Sequence, residues 1–222
     1  MGAAASADFY TRVVSIAQKT YHAEEDDDFP AMWIYNLPVT GFNETGFLDP
    51  ESVKSQMIAA IQNLAKAGSD FIVIPCNTAH HFYKEMQASV QVPILSILEV
   101  TAKAVKDAGF SKVGLLNSQS TKQFHLYEDI FAKNNIGTLS TTDAEQQQVT
   151  QVIGHVISGT QGANEIESLN NIAKRYAQAG AQAVILGCTE LPLAFSEKDC
   201  SLPLFDTTGL LAEAALKYSY NI

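Results

Sequence analysis

The segment LAKAGSDFIVIPCNT (64–78) aligns without gaps on YAQAGAQAVILGCTE (176–190), at a constant offset of 112 residues. In both copies an amphipathic helix ends at Ala-Gly, two or three residues pass, and a four-residue apolar strand follows. A Pro or Gly then leads into Cys and small polar residues. Further along, VPIL (92–95) matches LPLF (202–205) at an offset of 110. A chain made of two copies of one half-structure folds as two small domains of roughly 100 residues each.

The rest of the chain fits that frame. Apolar runs of strand length stand at 32–35 (MWIY), 71–74, 92–97, 112–116, 183–186 and 202–205. Helix-period segments lie near 6–20, 51–67, 98–108, 120–134, 145–157, 165–179 and 208–218. Gly68, Gly109 and Gly180 follow the last turns of three of these helices, where a C-capping glycine belongs. Alternation of this kind means βαβ units and mainly parallel sheet. The expected fold is α/β, with two pseudo-symmetric domains, each a mainly parallel sheet flanked by helices, and an active site in the cleft between them. The first domain takes 1–97 plus about 208–222, and the second takes 98–207. Residues 39–50 read as a loop long enough to close over a site.

Composition narrows the class. With 46% hydrophobic and 17% charged residues, the chain can bury a substantial core. No apolar run reaches the roughly 18–20 residues of a membrane-spanning helix, so no membrane role is expected. Fourteen basic against 24 acidic side chains give a formal charge of −10, which repels phosphate backbones and argues against a nucleic-acid partner. Three cysteines make no disulfide framework, so a reducing, cytoplasmic setting is expected. The first ten residues, MGAAASADFY, have neither the basic start nor the apolar stretch of a leader.

Cys76 and Cys188 are the chemically informative pair. Each sits just past the carboxyl end of an expected parallel strand, the edge where open α/β sheets bind ligands. Each is also expected near a helix N-terminus, where the dipole and free N–H groups lower a thiol's pKa. Asn77, Thr78, Thr189 and Glu190 follow them directly and are suited to holding a carboxylate. One free Cys is usually a small buried hydrophobe. Two at matching repeat positions, each followed by polar residues, point to function. Cys200 has no counterpart in the repeat and reads as incidental. A hydrolase needs one nucleophile and gains nothing from a second. Two thiols facing a nearly symmetric substrate suit racemisation or epimerisation: one base removes a proton from Cα while an acid delivers one to the other face.

The segments PCNTAHHF (75–82) and LGCTELPL (186–193) resemble the two cysteine motifs of the aspartate/glutamate racemase superfamily, nearest its aspartate racemase branch. Three further segments extend the likeness over nearly the whole chain. MGAAASADFYTRVV resembles the family's opening glycine loop and first helix, LLNSQSTKQFHLY (115–127) the loop that begins the second domain, and PLFDTT (203–208) the last strand. The resemblance implies a two-base mechanism with no cofactor, independent of PLP, and no metal. It implies Cys76 and Cys188 as catalytic base and acid. Asn77, Thr78 and Thr189 are then binders of the substrate's α-carboxylate and ammonium, Ser118 and Thr121 a further contact pair, and Glu190 a partner of the ammonium or of Cys188. It also implies a small amino-acid substrate and a homodimer. A hydantoin racemase or maleate isomerase chemistry, or a non-catalytic amino-acid-binding relative, is the alternative.

The chain departs from the family pattern in three places. Met1 falls within the family's glycine loop, so the expected first strand is absent from this sequence. Either that strand is lost, leaving a core position empty, or the sequence starts late. The loop LPVTGFNETG lacks the arginine, and the region of QVIGHVISG the lysine, that would pair an acidic side chain. Leu211 stands where the family has a His after Asp-Thr-Thr. His80 reads as a packing or capping residue as readily as a site residue, and the histidines have no metal-ligand spacing. Trp33, Tyr35, Phe82 and Tyr83 read as core.

Overall fold

The repeat appears residue by residue in the computed structural model, which describes residues 3–43, 46–160 and 162–221. The first half runs α1 (Ala3–Tyr21), the antiparallel pair β1 (Phe42–Asn43) and β2 (Gly46–Phe47), α2 (Pro50–Lys66), β3 (Ile72–Val73), α3 (Tyr83–Ala88), β4 (Ile94–Leu95) and α4 (Ile97–Asp107). The second half runs β5 (Lys112–Asn117), α5 (Gln119–Gln123), α6 (Leu126–Lys133), β6 (Gly137–Leu139), α7 (Asp143–Ser158), α8 (Ala163–Gln178), β7 (Ala183–Gly187), β8 (Leu204–Asp206) and α9 (Thr207–Ser219). The fold is α/β.

In the second half four parallel strands pair in the order β6-β5-β7-β8, and in the first half β3 pairs with β4 in parallel. Ile72 lies opposite Ile94 and Val73 opposite Leu95. Val184 lies opposite Leu204 and Ile185 opposite Phe205, the same pairs carried forward by the sequence offsets. Even the entry bond repeats: Ile72 N–H donates to the Pro93 carbonyl and Val184 N–H to the Pro203 carbonyl, both at 2.9 Å.

The helices that feed these strands end alike. Gly68 and Gly180 take φ of +92° and +84°, a left-handed conformation that favours glycine. There Ser69 N–H reaches back to Leu64, and Ala181 N–H to Tyr176, closing the last turn. The helices that leave the sheets start on side-chain caps. Ser96 accepts from Glu99 N–H, and Asp206 accepts from the N–H groups of Thr208 and Gly209.

Alternate β-strand residues serve opposite faces. Val113, Leu115 and Ile185 pack against Phe9 and Val13 of α1, Ile97 of α4 and Leu216 of α9. Leu116, Val184 and Leu186 pack against Val149 and Ile153 of α7 and Tyr176 of α8. A third cluster joins Val53, Met57 and Ile61 of α2 to Ile72, Phe82 and Met86. Each large buried side chain contributes about 1.5–3 kcal/mol relative to exposure.

Four expectations are corrected. The run MWIY forms no strand, and Trp33 is 68% and Ile34 59% exposed, so Trp33 and Tyr35 are not core. Strand-like composition is realised only against a partner edge, and none among the described residues pairs with this run. The helix expected over 120–134 breaks into α5 and α6, because His125 adopts a left-handed φ of +50°. The loop over 39–50 contains the β1–β2 pair. Strand β6, with the unremarkable sequence Gly-Thr-Leu, was not foreseen. Of the segments quoted above, Met1, Gly2, Glu44 and Thr45 lie outside the described residues.

Candidate active site

Cys76 lies half-buried in a tight turn beyond β3, where its N–H donates to the Ile74 carbonyl at 2.7 Å. His80 holds that turn. Its Nε2 accepts the Ile97 N–H at 3.2 Å, which leaves the proton on Nδ1, and Nδ1 donates to the Cys76 carbonyl at 2.9 Å. Burial pushes His80 down to about 4, so the ring is neutral at physiological pH. His80 is thus a clip between the Cys76 turn and the start of α4, with both ring nitrogens engaged by backbone.

Cys188 is buried immediately after β7. Its thiol donates to Glu190 Oε2 at 3.1 Å, and the Thr189 hydroxyl donates to the same oxygen at 3.0 Å. Helical structure begins just past each cysteine. After Cys76 a 3-10 segment, Thr78–Phe82, runs directly into α3, and after Cys188 a single 3-10 turn, Leu191–Leu193, stands alone. So short a turn aligns few peptide dipoles, and a helix dipole therefore acts more weakly on Cys188 than the sequence suggested.

Three connections join the Cys76 turn to the second half. Thr78 Oγ1 lies 2.9 Å from both Ser118 Oγ and Thr121 Oγ1, and Ser118 donates to Thr121 at 3.0 Å, closing a triangle of hydroxyls. Asn77 Nδ2 donates to Thr207 Oγ1 at 3.3 Å, and Thr207 Oγ1 donates to the Leu186 carbonyl, two residues before Cys188, at 2.9 Å. Tyr127 OH donates to Asn77 Oδ1 at 2.5 Å. The Tyr127 ring lies so close to Gly187 that a Cβ there would stand 2.9 Å from it. Burial raises the Tyr127 phenol well above its ordinary value, so it remains a donor. Asn77, Thr78, Ser118, Thr121, Thr189 and Glu190 are all buried. An exposed polar loop would not hold them this way.

Thr207 and Tyr127 were not singled out from the sequence. Both lie inside segments already quoted, PLFDTT and LLNSQSTKQFHLY, but neither has a polar counterpart in the repeat to flag it. Thr207 is placed by α9, whose N-cap, Asp206, is bound by Arg12 of α1. Above these residues Phe47 of β2 packs on Phe82 of the first half and on Phe124 of the second, at centroid separations of 5.0 and 5.5 Å. Three buried polar atoms in this region, Asn117 Nδ2, Ser120 Oγ and Thr208 Oγ1, have no hydrogen-bond partner among the described residues. They stand at the carboxyl ends of β5 and β8. Among the described residues no group of three His, Cys, Asp or Glu side chains is placed to hold a metal ion. No described helix is long and apolar enough to cross a membrane.

Residues 1–215 match the family model described as Asp/Glu/Hydantoin racemase. A broad-specificity amino-acid racemase of Bacillus subtilis, RacX, is 31% identical over 216 residues, covering 97% of this chain and 93% of that one. The crystal structure of an aspartate racemase homologue from Pyrococcus horikoshii superposes with a TM-score of 0.83 at 26% identity, covering 97% and 94% of the two chains. An aspartate racemase of Picrophilus torridus gives 0.81 at 28% identity, covering 99% and 91%. With a family model spanning both cysteine turns and relatives matched over almost their full length, the chain belongs to the Asp/Glu/Hydantoin racemase family and is an isomerase.

Proposed function

We propose that the chain interconverts the enantiomers of an amino acid by two-base proton transfer at Cα, with Cys76 and Cys188 on opposite faces of that carbon and no cofactor. The observation that carries the reading is the pair of ties from Asn77, through Thr207 and through Tyr127, to the strand end that delivers Cys188. They join two turns that the repeat makes equivalent. One sulfur, as thiolate, takes the Cα proton and becomes a thiol. The other, as thiol, gives its proton to the opposite face and becomes a thiolate. The step balances: one C–H bond is broken as an S–H bond forms on the first sulfur, one S–H bond is broken on the second as the new C–H bond forms, and the reverse turnover restores the starting protonation. Because Cys188 donates to the Glu190 carboxylate, it is the thiol partner at rest.

Asn77, Thr78 and Thr189 hold the α-carboxylate and ammonium, with Ser118 and Thr121 supporting Thr78. Glu190 serves Cys188 first and the ammonium second. The substrate is aspartate or a related amino acid, within a range that includes neutral side chains. Among the described residues, Lys122 beside Thr121 donates to the Thr141 carbonyl, and Arg12 pairs with Asp8 and Asp206. Neither of these two is free to offer a β-carboxylate a bidentate partner. The reading carries with it a division into 1–97 plus about 208–222 and 98–207, a cytosolic setting in which both thiols stay reduced, and the homodimer that the resemblance implies.

The test is incubation with a panel of L-amino acids in D₂O, followed by proton NMR and chiral chromatography. Deuterium entering Cα together with the D-enantiomer, and lost in the Cys76→Ser and Cys188→Ser variants, supports the assignment. Tight binding of an amino acid without any exchange would leave a binding protein in its place.

A further inference from the structure

Strand β5 delivers Ser118 and α5 to the site, and β6 covers only part of its outer edge. The Ser111 carbonyl accepts from Gly137 N–H at 2.8 Å on that edge. Carbonyls alternate along a strand, so those of Leu115 and Asn117 face the same way. The pairing with β6 stops at Gly114, opposite Leu139. Beyond it two side chains take the place of strand neighbours. The Tyr176 hydroxyl of α8 donates to the Leu115 carbonyl at 2.7 Å, and Gln146 Nε2 of α7 donates to the Asn117 carbonyl at 3.0 Å.

Gln146 is 2% exposed, and its amide has one orientation that satisfies both neighbours. A carbonyl only accepts, so Nε2 faces Asn117, and Oε1 takes the proton of the Thr141 hydroxyl at 2.6 Å. Lys122 of α5 reaches the same residue, donating to the Thr141 carbonyl at 2.7 Å. The Asn117 carbonyl and the Ser118 N–H belong to one rigid peptide plane. Holding that carbonyl therefore fixes the plane from which Ser118 enters its cap, where its Oγ accepts from Thr121 N–H at 3.2 Å. On its other edge Asn117 pairs with Gly187, the residue before Cys188.

We propose that Gln146 is a positioning residue for the reaction: through the Asn117 peptide it sets the Ser118 and Thr121 hydroxyls that support Thr78 against the substrate's α-carboxylate. The inference rests on the roles proposed above for Thr78, Ser118 and Thr121. Tyr176 supplies the internal comparison. It caps the same edge of the same strand, two residues further from Ser118, so its loss weakens β5 without releasing the turn. An effect of Gln146 on the sheet alone would be shared by Tyr176, whereas an effect on the turn would not.

The 222-residue protein is compared with its Gln146→Met, Gln146→Glu and Tyr176→Phe variants by melting, by amide hydrogen exchange in NMR and by steady-state kinetics on the best substrate of the amino-acid panel. All three variants are expected to melt lower, since each leaves a β5 carbonyl without its donor. In Gln146→Met the Thr121 amide is expected to exchange about tenfold faster and KM to rise about tenfold, with kcat changed less. Gln146→Glu keeps the acceptor for Thr141 and, as a carboxylate at pH 8, has no proton for Asn117. It is expected to follow Gln146→Met in both readouts, and it carries the test should the methionine variant not fold. Tyr176→Phe is expected to leave the Thr121 amide and KM within about twofold of native. Equal changes in the Gln146 variants and Tyr176→Phe overturn the proposal, as does a Thr121 amide that keeps its native protection in the Gln146 variants. A native protein that exchanges no amino acid overturns the two-base reading instead, and the Thr121 amide still reports on Gln146, so the two failures are told apart.

Discussion

The phenol of Tyr127, on α6, donates to the side-chain carbonyl of Asn77, the residue that follows Cys76, at 2.5 Å. The same ring rests against Gly187, the residue that precedes Cys188. One side chain thus braces both cysteine turns. Its part in the proposed chemistry is positioning.

Replacing Tyr127 with Phe keeps the ring on Gly187 and removes the donor. A buried Asn77 oxygen left without that bond costs about 1–3 kcal/mol. The expected result is a Cα-exchange kcat lowered by on the order of tenfold, as expected when roughly 1.4 kcal/mol of positioning is lost. KM should change less, because the α-carboxylate contacts proposed for Thr78 and Thr189 remain. Steady-state kinetics together with thermal melting separate the two effects.

The cysteines give the sharpest contrast. Cys76→Ser and Cys188→Ser are each expected to lower exchange by roughly 10²–10⁴-fold, the range of a lost general acid or base. Cys200→Ser is expected to leave it unchanged, since that half-buried thiol lies in the loop after the second repeat. Deuterium exchange at Cα measured on all three variants checks the ranking.

His80 sets an acid limit on the fold. Its folded value is depressed to about 4 while the unfolded ring titrates near 6.5, so the unfolded chain binds the extra proton between those values. Stability is therefore fully present above about 6.5 and is lost as pH falls toward 4, by roughly 3 kcal/mol at most. Melting midpoints measured from pH 7.5 to 4 are expected to fall more steeply for the native protein than for His80→Gln. The glutamine cannot become a buried cation.

Gly114 tests the packing of the intact sheet. A Cβ there would stand 2.2 Å from the Tyr176 ring, whose hydroxyl bonds to the Leu115 carbonyl at 2.7 Å. Gly114→Ala must displace that ring or the strand, and a loss of about 1–3 kcal/mol or more is expected. Chemical denaturation gives the number. Gly154→Ala is the control, since nothing lies within 4 Å of its added carbon.

What the sequence made legible was whatever the repeat duplicated. The offset between 64–78 and 176–190 yielded the two helix-to-strand turns, the equivalent register and the places of Cys76 and Cys188. Features present in one half only were harder to read. MWIY carried a strand's composition, but whether an apolar run pairs depends on an edge elsewhere in the chain. His125 broke a helix through a left-handed backbone that its neighbours' periodicity did not announce. At the site, the residues adjacent to each cysteine were legible because they share its turn. Tyr127 and Thr207 come from separate helices and meet Asn77 only after folding, so local pattern held no trace of their role.

Thr207 accepts from Asn77 and donates to the Leu186 carbonyl. Its hydroxyl has one proton, so the two bonds share a single orientation of that rotor. Swinging the Cys76 turn outward would break the incoming bond and free the outgoing one to reorient. Opening on one side is therefore felt on the other without any shift of the sheet. A chimera grafting one half of this chain onto a relative would have to carry residues 77, 127 and 207 together. In that sense the inheritable unit is the trio and not the domain.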